Sequence, residues 1–372
     1  MKNFLESSIE NKKILISCGS GGVGKTTLSA SLACYAAEKG KKTIVLTIDP
    51  ARRLAQALGF EKFSNKIQKI ELKKGELYAA MLDTKQVFNE LIQTCSPSAT
   101  ITKQILSNPI YQHVSDGLTG IHEYMACAKL YEFYSKNEYD LIILDTPPMK
   151  KAFEFLEAPE RISAFFDTNI FHWFLKPYFR AGQMGLKFMF KGSSLALKVI
   201  EHFSGLEVLR SLHDFFLNFE GMYDAFTERA TSIYKTLRSP NTGFLLITTP
   251  QPHRYLEAAT FYKILKQKKM PFEGFIFNQV FPQWITSKVS VPHFIAEHNL
   301  TLFKDEKASE VLGKMLDYIT DLDKLAHKEK IAVKLLNEEL GMTTTPILVP
   351  KLTEEVDDIE GLFKLHQYLF KQ

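Results

Sequence analysis

The segment at residues 19–27 has the residue types and spacing of a loop that binds phosphate. Its sequence, GSGGVGKTT, fits the pattern G-x-x-x-x-G-K-[ST] and lies between an apolar run at 14–16 and a helix-like stretch at 28–38. Glycines let successive backbone N–H groups of such a loop turn toward a phosphate, and the following helix adds the positive end of its dipole. In this pattern Lys25 is placed to reach the β- and γ-phosphates of a nucleotide, and Thr26 is placed to bind Mg²⁺.

Two aspartates follow apolar runs that are predicted strands. Asp49 comes directly after residues 43–48 (TIVLTI), and Asp145 follows residues 140–144 (DLIIL). Ligands of open α/β sheets bind beyond the carboxyl ends of the strands, so both carboxylates are candidates for the phosphate site. A carboxylate in this position downstream of such a loop typically orders Mg²⁺, which favours that role for Asp145. The other interpretations are a helix N-cap for Asp49, which is compatible with a functional role, and a turn before two prolines for Asp145.

The composition limits the class of protein. The chain has 372 residues, of which 45% are hydrophobic, and its formal net charge is only +4, with no dense basic block. We therefore expect a substantial core and no nucleic-acid partner. Four cysteines without C-x-x-C spacing predict reduced thiols in a cytoplasmic protein that has no zinc site; they are Cys18, Cys34, Cys95 and Cys127. The N-terminus lacks the apolar segment of a signal peptide, and no run of about 18 apolar residues predicts a membrane span.

Apolar runs alternate with helix-like stretches along most of the chain. Strands are predicted at residues 13–18, 43–48, 77–82, 140–144, 243–249, 272–277 and 345–349, and the last helix is predicted to open at residues 353–355. This alternation predicts an α/β fold with a doubly wound, mainly parallel sheet. The core is predicted at residues 1–150 and 241–372. The weakly amphipathic tail, from residue 359, is predicted to pack on the sheet.

Residues 151–240 differ in kind and predict a helical insertion subdomain. This segment holds 14 of the 29 phenylalanines. Between residues 209 and 237 apolar residues recur three and four apart, which predicts one long amphipathic helix. Two interpretations of its apolar seam stay open: packing against the preceding helices, or an exposed groove for a hydrophobic client or a partner subunit.

Six sequence motifs, taken in order, resemble a known family. They are GSGGVGKTT, TIDPARRLAQALG, DLIILDTPP followed by AFEFLEAPERI, TTPQP, FIFNQV and LVPKLTEEV. Together they resemble the ArsA-like branch of the SIMIBI-class P-loop ATPases, which includes the arsenite-pump ATPase and the eukaryotic ATPase that targets tail-anchored membrane proteins. The resemblance covers most of the chain and is closest to the bacterial subgroup known as anion-transporting ATPases.

The resemblance implies a role for each matching residue. Asp49 would orient or deprotonate the attacking water, Asp145 would lie near Mg²⁺, and Asn278 would read adenine, while Pro350 and Leu352 would pack on the base. The residues implied to wrap the phosphates are Gly21, Gly22, Val23, Gly24, Lys25, Thr26 and Thr27. The family hydrolyses ATP as a dimer whose interface holds the nucleotides. We therefore expect a homodimer, or a heterodimer with a related ATPase, that moves a helical subdomain for a hydrophobic client or membrane-protein partner.

Three departures from the family pattern affect these expectations. Ser20 replaces the signature lysine of the loop, so hydrolysis is either slow or supported by another cation; the candidates are Arg52, Arg53, Lys150 and Lys151. The paired cysteines that bind zinc in the eukaryotic members are missing. The thiols are not clustered, which gives little support to an arsenite or anion pump-driving subunit. A catalytically weak ATP-binding scaffold, or half of a heterodimeric ATPase, stays open as the alternative function.

Overall fold

The computed structural model describes residues 2–48, 53–58, 67–112, 121–149, 156–157, 211, 214–215, 217–219, 221–282 and 306–370. Its strands are β1 (Ile14–Gly19), β2 (Lys42–Thr47), β3 (Gln68–Ile70), β4 (Glu76–Met81), β5 (Leu141–Asp145), β6 (Thr242–Thr248), β7 (Phe272–Val280) and β8 (Ile347–Pro350). Its helices are α1 (Phe4–Asn11), α2 (Lys25–Glu38), α3 (Arg53–Ala57), α4 (Thr84–Cys95), α5 (Ala99–Ser107), α6 (Ile121–Lys136), α7 (Tyr223–Leu237), α8 (Pro252–Gln267), α9 (Glu306–Glu339) and α10 (Ile359–Phe370).

The eight strands form one sheet in the order β3-β4-β2-β5-β1-β6-β7-β8. Pairing is parallel from β2 through β5, β1, β6 and β7 to β8, and antiparallel between β3 and β4 at one edge. Every residue of β1, β5 and β6 is buried, as expected for parallel strands that are covered on both faces. The predicted α/β class with a mainly parallel sheet is therefore confirmed.

Register brings the ends of the central strands together. Ser17 of β1 lies opposite Asp145 of β5, and Thr47 of β2 lies opposite the same aspartate on its other side. Because these strands are parallel, their carboxyl ends meet at one edge of the sheet. The loop after β1, the end of β2 and the end of β5 therefore share that edge.

The last helix differs from its prediction. Residues 353–355 do not open it, because α10 begins at Ile359. The carboxylate of Asp358 accepts a hydrogen bond of 2.7 Å from the Gly361 N–H and so satisfies one of the first free amides of the helix. The helix packs chiefly on α2 and also contacts β8 at the edge of the sheet. Its Phe370 ring stacks on Tyr35 of α2, with 3.5 Å between the ring centroids.

The chain divides into two compact units. The first holds the sheet and comprises Met1–Ala80, Tyr139–Met149 and Pro240–Gln372. The second comprises Met81–Glu138 and Lys150–Ser239 and contains α4 to α7, in which α6 packs against both α4 and α7. Most of the predicted insertion at 151–240 lies outside the described residues, and its boundaries stay a prediction.

The predicted helix at 209–237 is interrupted. Gly221 and Met222 form a turn, and α7 begins at Tyr223. Glycine is a poor helix former, which is consistent with a break at this point. Four of the five seam residues in α7 are buried, namely Phe226, Ala230, Ile233 and Leu237, and the fifth, Tyr223, is half-buried. For this part of the seam, core packing is the interpretation that the structure supports. In the described part of the chain, no helix is long and apolar enough to cross a membrane.

Candidate nucleotide-binding site

Between β1 and α2 the backbone makes a tight glycine loop. Gly22 and Gly24 have φ values of +76° and +85°, in the left-handed region that glycine adopts without steric cost. A Cβ atom at Gly19 would collide with the carbonyl oxygen of Ile247, and one at Gly24 would collide with the amide nitrogen of Asn278. The packing around the loop thus requires glycine at these two positions.

Three side chains outside the loop hold its carbonyl oxygens. Asn278 Nδ2 donates to the Val23 carbonyl at 2.9 Å, and Gln279 Nε2 lies 3.4 Å from the Gly22 carbonyl. The guanidinium of Arg254 donates through Nη1 to the Gly21 carbonyl. Asn278 and Gln279 are consecutive in β7, and in a regular strand they would point to opposite faces. The register of β7 shifts between Phe277 and Val280, and Gln279 has a φ of +58°, so both side chains reach the loop.

Lys25 and Thr26 occupy the positions that the sequence pattern requires. Lys25 is only 8% exposed, and its ammonium donates to the Ser20 carbonyl at 2.9 Å, across the loop. The Thr26 hydroxyl donates to Asp145 Oδ2 at 2.7 Å, and the Thr47 hydroxyl donates to the same oxygen at 3.1 Å. Asp145 is 1% exposed. The structure therefore brings the predicted lysine, threonine and strand-end aspartate to one place.

The residues present suit a phosphate with Mg²⁺. The glycine loop forms a cradle that a Cβ atom at Gly24 would disturb. A threonine hydroxyl beside a carboxylate supplies oxygen ligands, which are the ligands that Mg²⁺ prefers. Among the described residues, no group of three or more His, Cys, Asp or Glu side chains is arranged to hold a metal ion. Water and phosphate oxygens would therefore complete a magnesium shell here.

A cleft of 970 Å³ opens beside the loop. Its lining includes Gly21, Gly22, Gly24, Lys25, Thr26, Thr27, Asn278, Pro350 and Leu352. All of these are predicted site residues. Val23 is absent from this lining because its side chain is fully buried, so only its backbone can face a ligand. The segment that joins β8 to α10 adds Lys351, Glu354, Glu355 and Asp357. The size of the cleft suits a ligand as large as a nucleotide.

Several predicted residues lie outside the described part of the chain. Asp49, Arg52, Lys150 and Lys151 are among them, as is the side chain of Arg53. Their roles in water activation or as a replacement cation stay predictions.

Sequence reasoning missed three side chains that hydrogen-bond to the loop. These are Arg254, Glu257 and Gln279. The Ser20 hydroxyl, at the position of the signature lysine, donates to Glu257 Oε2 at 2.5 Å. These partners follow the loop by more than 200 residues in the chain, so no local spacing pattern could connect them.

The cysteines offer little to a metalloid. Cys18, Cys34 and Cys127, the three buried thiols, lie in β1, α2 and α6. Burial raises the pKa of Cys18 and of Cys34 to about 12 and raises the pKa of Cys127 well above its usual value. These groups stay protonated at neutral pH, whereas soft metal ions bind the thiolate.

Comparison with known proteins agrees with this geometry. The family described as "Anion-transporting ATPase" matches residues 12–340. "ATPase ASNA1 homolog" of Plasmodium berghei (strain Anka) is 24% identical over 371 residues, which are 98% of this chain and 88% of that protein. "ATPase ASNA1 homolog 2" of Paramecium tetraurelia is 34% identical over 161 residues, 43% of this chain and 47% of that one. "Putative arsenical pump-driving ATPase 1" of Aquifex aeolicus (strain VF5) is 23% identical over 372 residues, 96% of this chain and 78% of that one.

The family match spans far more than half of the chain and includes the glycine loop, β5 and Asn278. The chain therefore belongs to the anion-transporting, ArsA-like ATPase family, and its activity is that of an ATPase.

Proposed function

We propose that this ATPase hydrolyses ATP with Mg²⁺ in the cleft beside the glycine loop. The observation that carries the proposal is the hydrogen bond between Thr26 and Asp145, because a hydroxyl and a carboxylate are the groups that hold the metal in phosphate-loop enzymes. Thr26, Asp145 and Asp49 are the residues that would hold the metal, the two aspartates partly through water. The bound metal supplies positive charge that offsets the phosphate oxygens during transfer.

The chain's own groups bind and orient the phosphates. The N–H groups of residues 21–27 and the dipole of α2 face the phosphate oxygens. Lys25 leaves the Ser20 carbonyl, where its ammonium is held at 2.9 Å, and contacts the β- and γ-phosphates. Asp49 accepts the hydrogen bond, and then the proton, of the attacking water. Charge that develops on the transferred group is thus met by the Lys25 ammonium and by backbone amides.

The base is held in the same cleft, next to the loop. Asn278 lines the cleft while its Nδ2 donates to the Val23 carbonyl, which leaves its Oδ1 to accept from the amino group of adenine. Pro350 and Leu352 give apolar contact to the ring. Adenine specificity would therefore rest on an amide whose orientation the loop fixes.

The protein acts as a dimer that changes shape with its nucleotide, and its helical segment handles a hydrophobic client or a partner protein. Support comes from the family resemblance and from the phenylalanine content of residues 151–240. Scattered free cysteines favour a reducing compartment such as the cytoplasm. The buried thiols give no support to arsenical binding, although one relative is named for an arsenical pump.

The test is steady-state ATP turnover of the purified protein with and without Mg²⁺, with Asp49→Asn beside it. Asp317→Asn, at an exposed aspartate on α9, is the matched control. We expect magnesium-dependent turnover in the wild type and the control, loss in Asp49→Asn, and a larger species in ATP than in ADP by light scattering. Turnover that is equal in all three proteins would refute the catalytic assignment.

One observation favours a second candidate function. Ser20 stands at the position of the signature lysine, and its hydroxyl donates to Glu257. This position therefore offers no positive charge to a nucleotide. A chain that binds ATP and barely hydrolyses it would serve as a scaffold or as half of a heterodimer. Binding of ATP without turnover, restored by a related ATPase subunit that supplies the lysine, would establish this alternative.

A further inference from the structure

Side chains from other elements fix the peptide planes of the loop. In a trans peptide the carbonyl of one residue and the N–H of the next point in opposite directions. The Gly21, Gly22 and Val23 carbonyls are held by Arg254, Gln279 and Asn278. Consequently the N–H groups of the three following residues, Gly22, Val23 and Gly24, are turned away from these side chains.

Because the loop contains several glycines, its peptide planes need hydrogen-bond partners outside the loop to keep one orientation. The planes on either side of Gly22 and Gly24 are free to rotate, because glycine populates several backbone conformations at similar free energy. Without an external partner the loop would sample orientations in which a carbonyl oxygen, and not an N–H, faces a phosphate. The amides of Gln279 and Asn278 hold two planes, and the guanidinium holds the third.

Arg254 has properties that helix stability does not explain. It lies in the first turn of α8, two residues after Pro252 at the start of the helix, where a cation opposes the helix dipole. Its Nε donates to Gln251 Oε1 at 2.9 Å, which orients the guanidinium plane. The helix itself is anchored on the sheet by buried side chains, which are Ala258, Ala259, Phe261 and Leu265. The guanidinium is therefore presented to the loop from a rigid element.

We propose that Arg254 is a positioning residue for phosphate binding: it holds the Gly21–Gly22 peptide plane with the Gly22 N–H directed at the nucleotide. The inference rests on the proposed function, since it assumes that the loop binds nucleotide phosphates. The charge of the guanidinium also strengthens its bond to the carbonyl, because charge-assisted hydrogen bonds are stronger than neutral ones.

The experiment compares wild type, Arg254→Ala and Arg254→Lys, with Lys263→Ala, at an exposed lysine on the same helix, as the matched control. Calorimetry measures the affinity for ADP and for adenosine, which lacks phosphate. Glycine-selective nitrogen-15 labelling reports the 19 glycine amides, among them that of Gly22. We expect Arg254→Ala to bind ADP about tenfold to 100-fold more weakly, the range of one hydrogen bond to a charged group. Adenosine affinity and the control should not change.

The two variants separate geometry from charge. Lysine keeps the charge but lacks the planar fork that reaches both Gly21 and Gln251, so we expect Arg254→Lys to recover only part of the ADP affinity, with a shifted Gly22 amide signal. Full recovery by Arg254→Lys, or ADP affinity within twofold of wild type in Arg254→Ala, would overturn the inference. If the wild type binds no ADP, the proposed function fails. If the Gly22 amide signal of ligand-free Arg254→Ala lies where it does in the wild type, the positioning role is refuted separately.

Discussion

The substitution Gly24→Ala adds one methyl group to the loop. Its cost in unfolding free energy follows from the backbone conformation at this position and from the atoms around it. Gly24 has a φ of +85°, and an alanine in the left-handed region costs about 1–2 kcal/mol. The new Cβ atom would also meet Asn278 Nδ2, so the amide must move and release the Val23 carbonyl that it holds at 2.9 Å. That lost hydrogen bond adds about 1 kcal/mol. Gly24→Ala should therefore cost about 2–3 kcal/mol in unfolding free energy, as the sum of these two effects.

Gly40, which lies at the opposite end of α2 from Gly24, supplies a matched control. Gly40 follows the carboxyl end of α2 with a φ of +91°, and nothing lies within 4 Å of a Cβ atom placed there. Gly40→Ala thus carries the backbone strain without the displaced amide, and the difference between the two variants isolates the contribution of Asn278.

The assay is urea unfolding followed by circular dichroism, together with ADP titration. We expect Gly24→Ala to be about 1 kcal/mol less stable than Gly40→Ala because it alone loses the hydrogen bond. Only Gly24→Ala should lose ADP affinity. The loss is about tenfold in Kd for each 1.4 kcal/mol of binding free energy that the substitution removes. Adding Asn278→Ala to Gly24→Ala removes the collision and should make the two changes less than additive in stability. Equal stability of the two alanine variants, with wild-type ADP affinity in both, would refute this reasoning.

Three further outcomes follow from other groups. Asp145→Asn keeps the shape of the side chain but removes its charge. The Mg²⁺ concentration for half-maximal turnover should therefore rise roughly 10–100-fold, the range for groups that orient a metal site. An unchanged concentration would exclude a metal role for Asp145. A thiol reagent should modify half-buried Cys95 first and reach the three buried thiols only in urea; early loss of all four thiols in the folded protein would contradict the burial. Burial lowers the pKa of His366 below its usual 6.5, so its contribution to stability is present above that value and is lost as the pH falls through the lowered pKa. Between about pH 7 and about pH 5 the urea midpoint should therefore fall more in wild type than in His366→Gln, and parallel pH profiles would contradict this.

The strands were predictable because burial on both faces leaves a continuous apolar run. β5 and β6 are the plainest cases, and each ends within two residues of its predicted end. Strand β3 was missed because its three residues are too short for a pattern and only Ile70 is fully buried. Helix α1 was missed because the sequence offered only the absence of a signal peptide, although Asn3 caps it through its side chain.

The residues of the loop and of β5 were predictable, whereas the side chains that hold the carbonyls of the loop were not. Lys25, Thr26 and Asp145 belong to local patterns whose physical purpose is known. Arg254 and Gln279 acquire their positions only through the order of strands in the sheet, in which β6 lies beside β1 and β7 lies beside β6, and the start of α8 comes to the loop. Asp358 was overlooked as the cap of α10 because Thr353 and Glu354 also resembled a helix start.

The central place of β1 in the sheet has a consequence for synthesis of the protein. β1 is made first, yet its neighbours are β5 and β6, and Ile14 pairs with Thr242. On the order of 230 residues separate these partners, so at roughly 5–20 residues per second the ribosome needs about 10–50 s between them. During that interval the apolar strand and its glycine loop lack one side of the sheet, and such exposed strands are the species that chaperones retain. Both neighbours of β1 are therefore present only after about two thirds of the chain has been made.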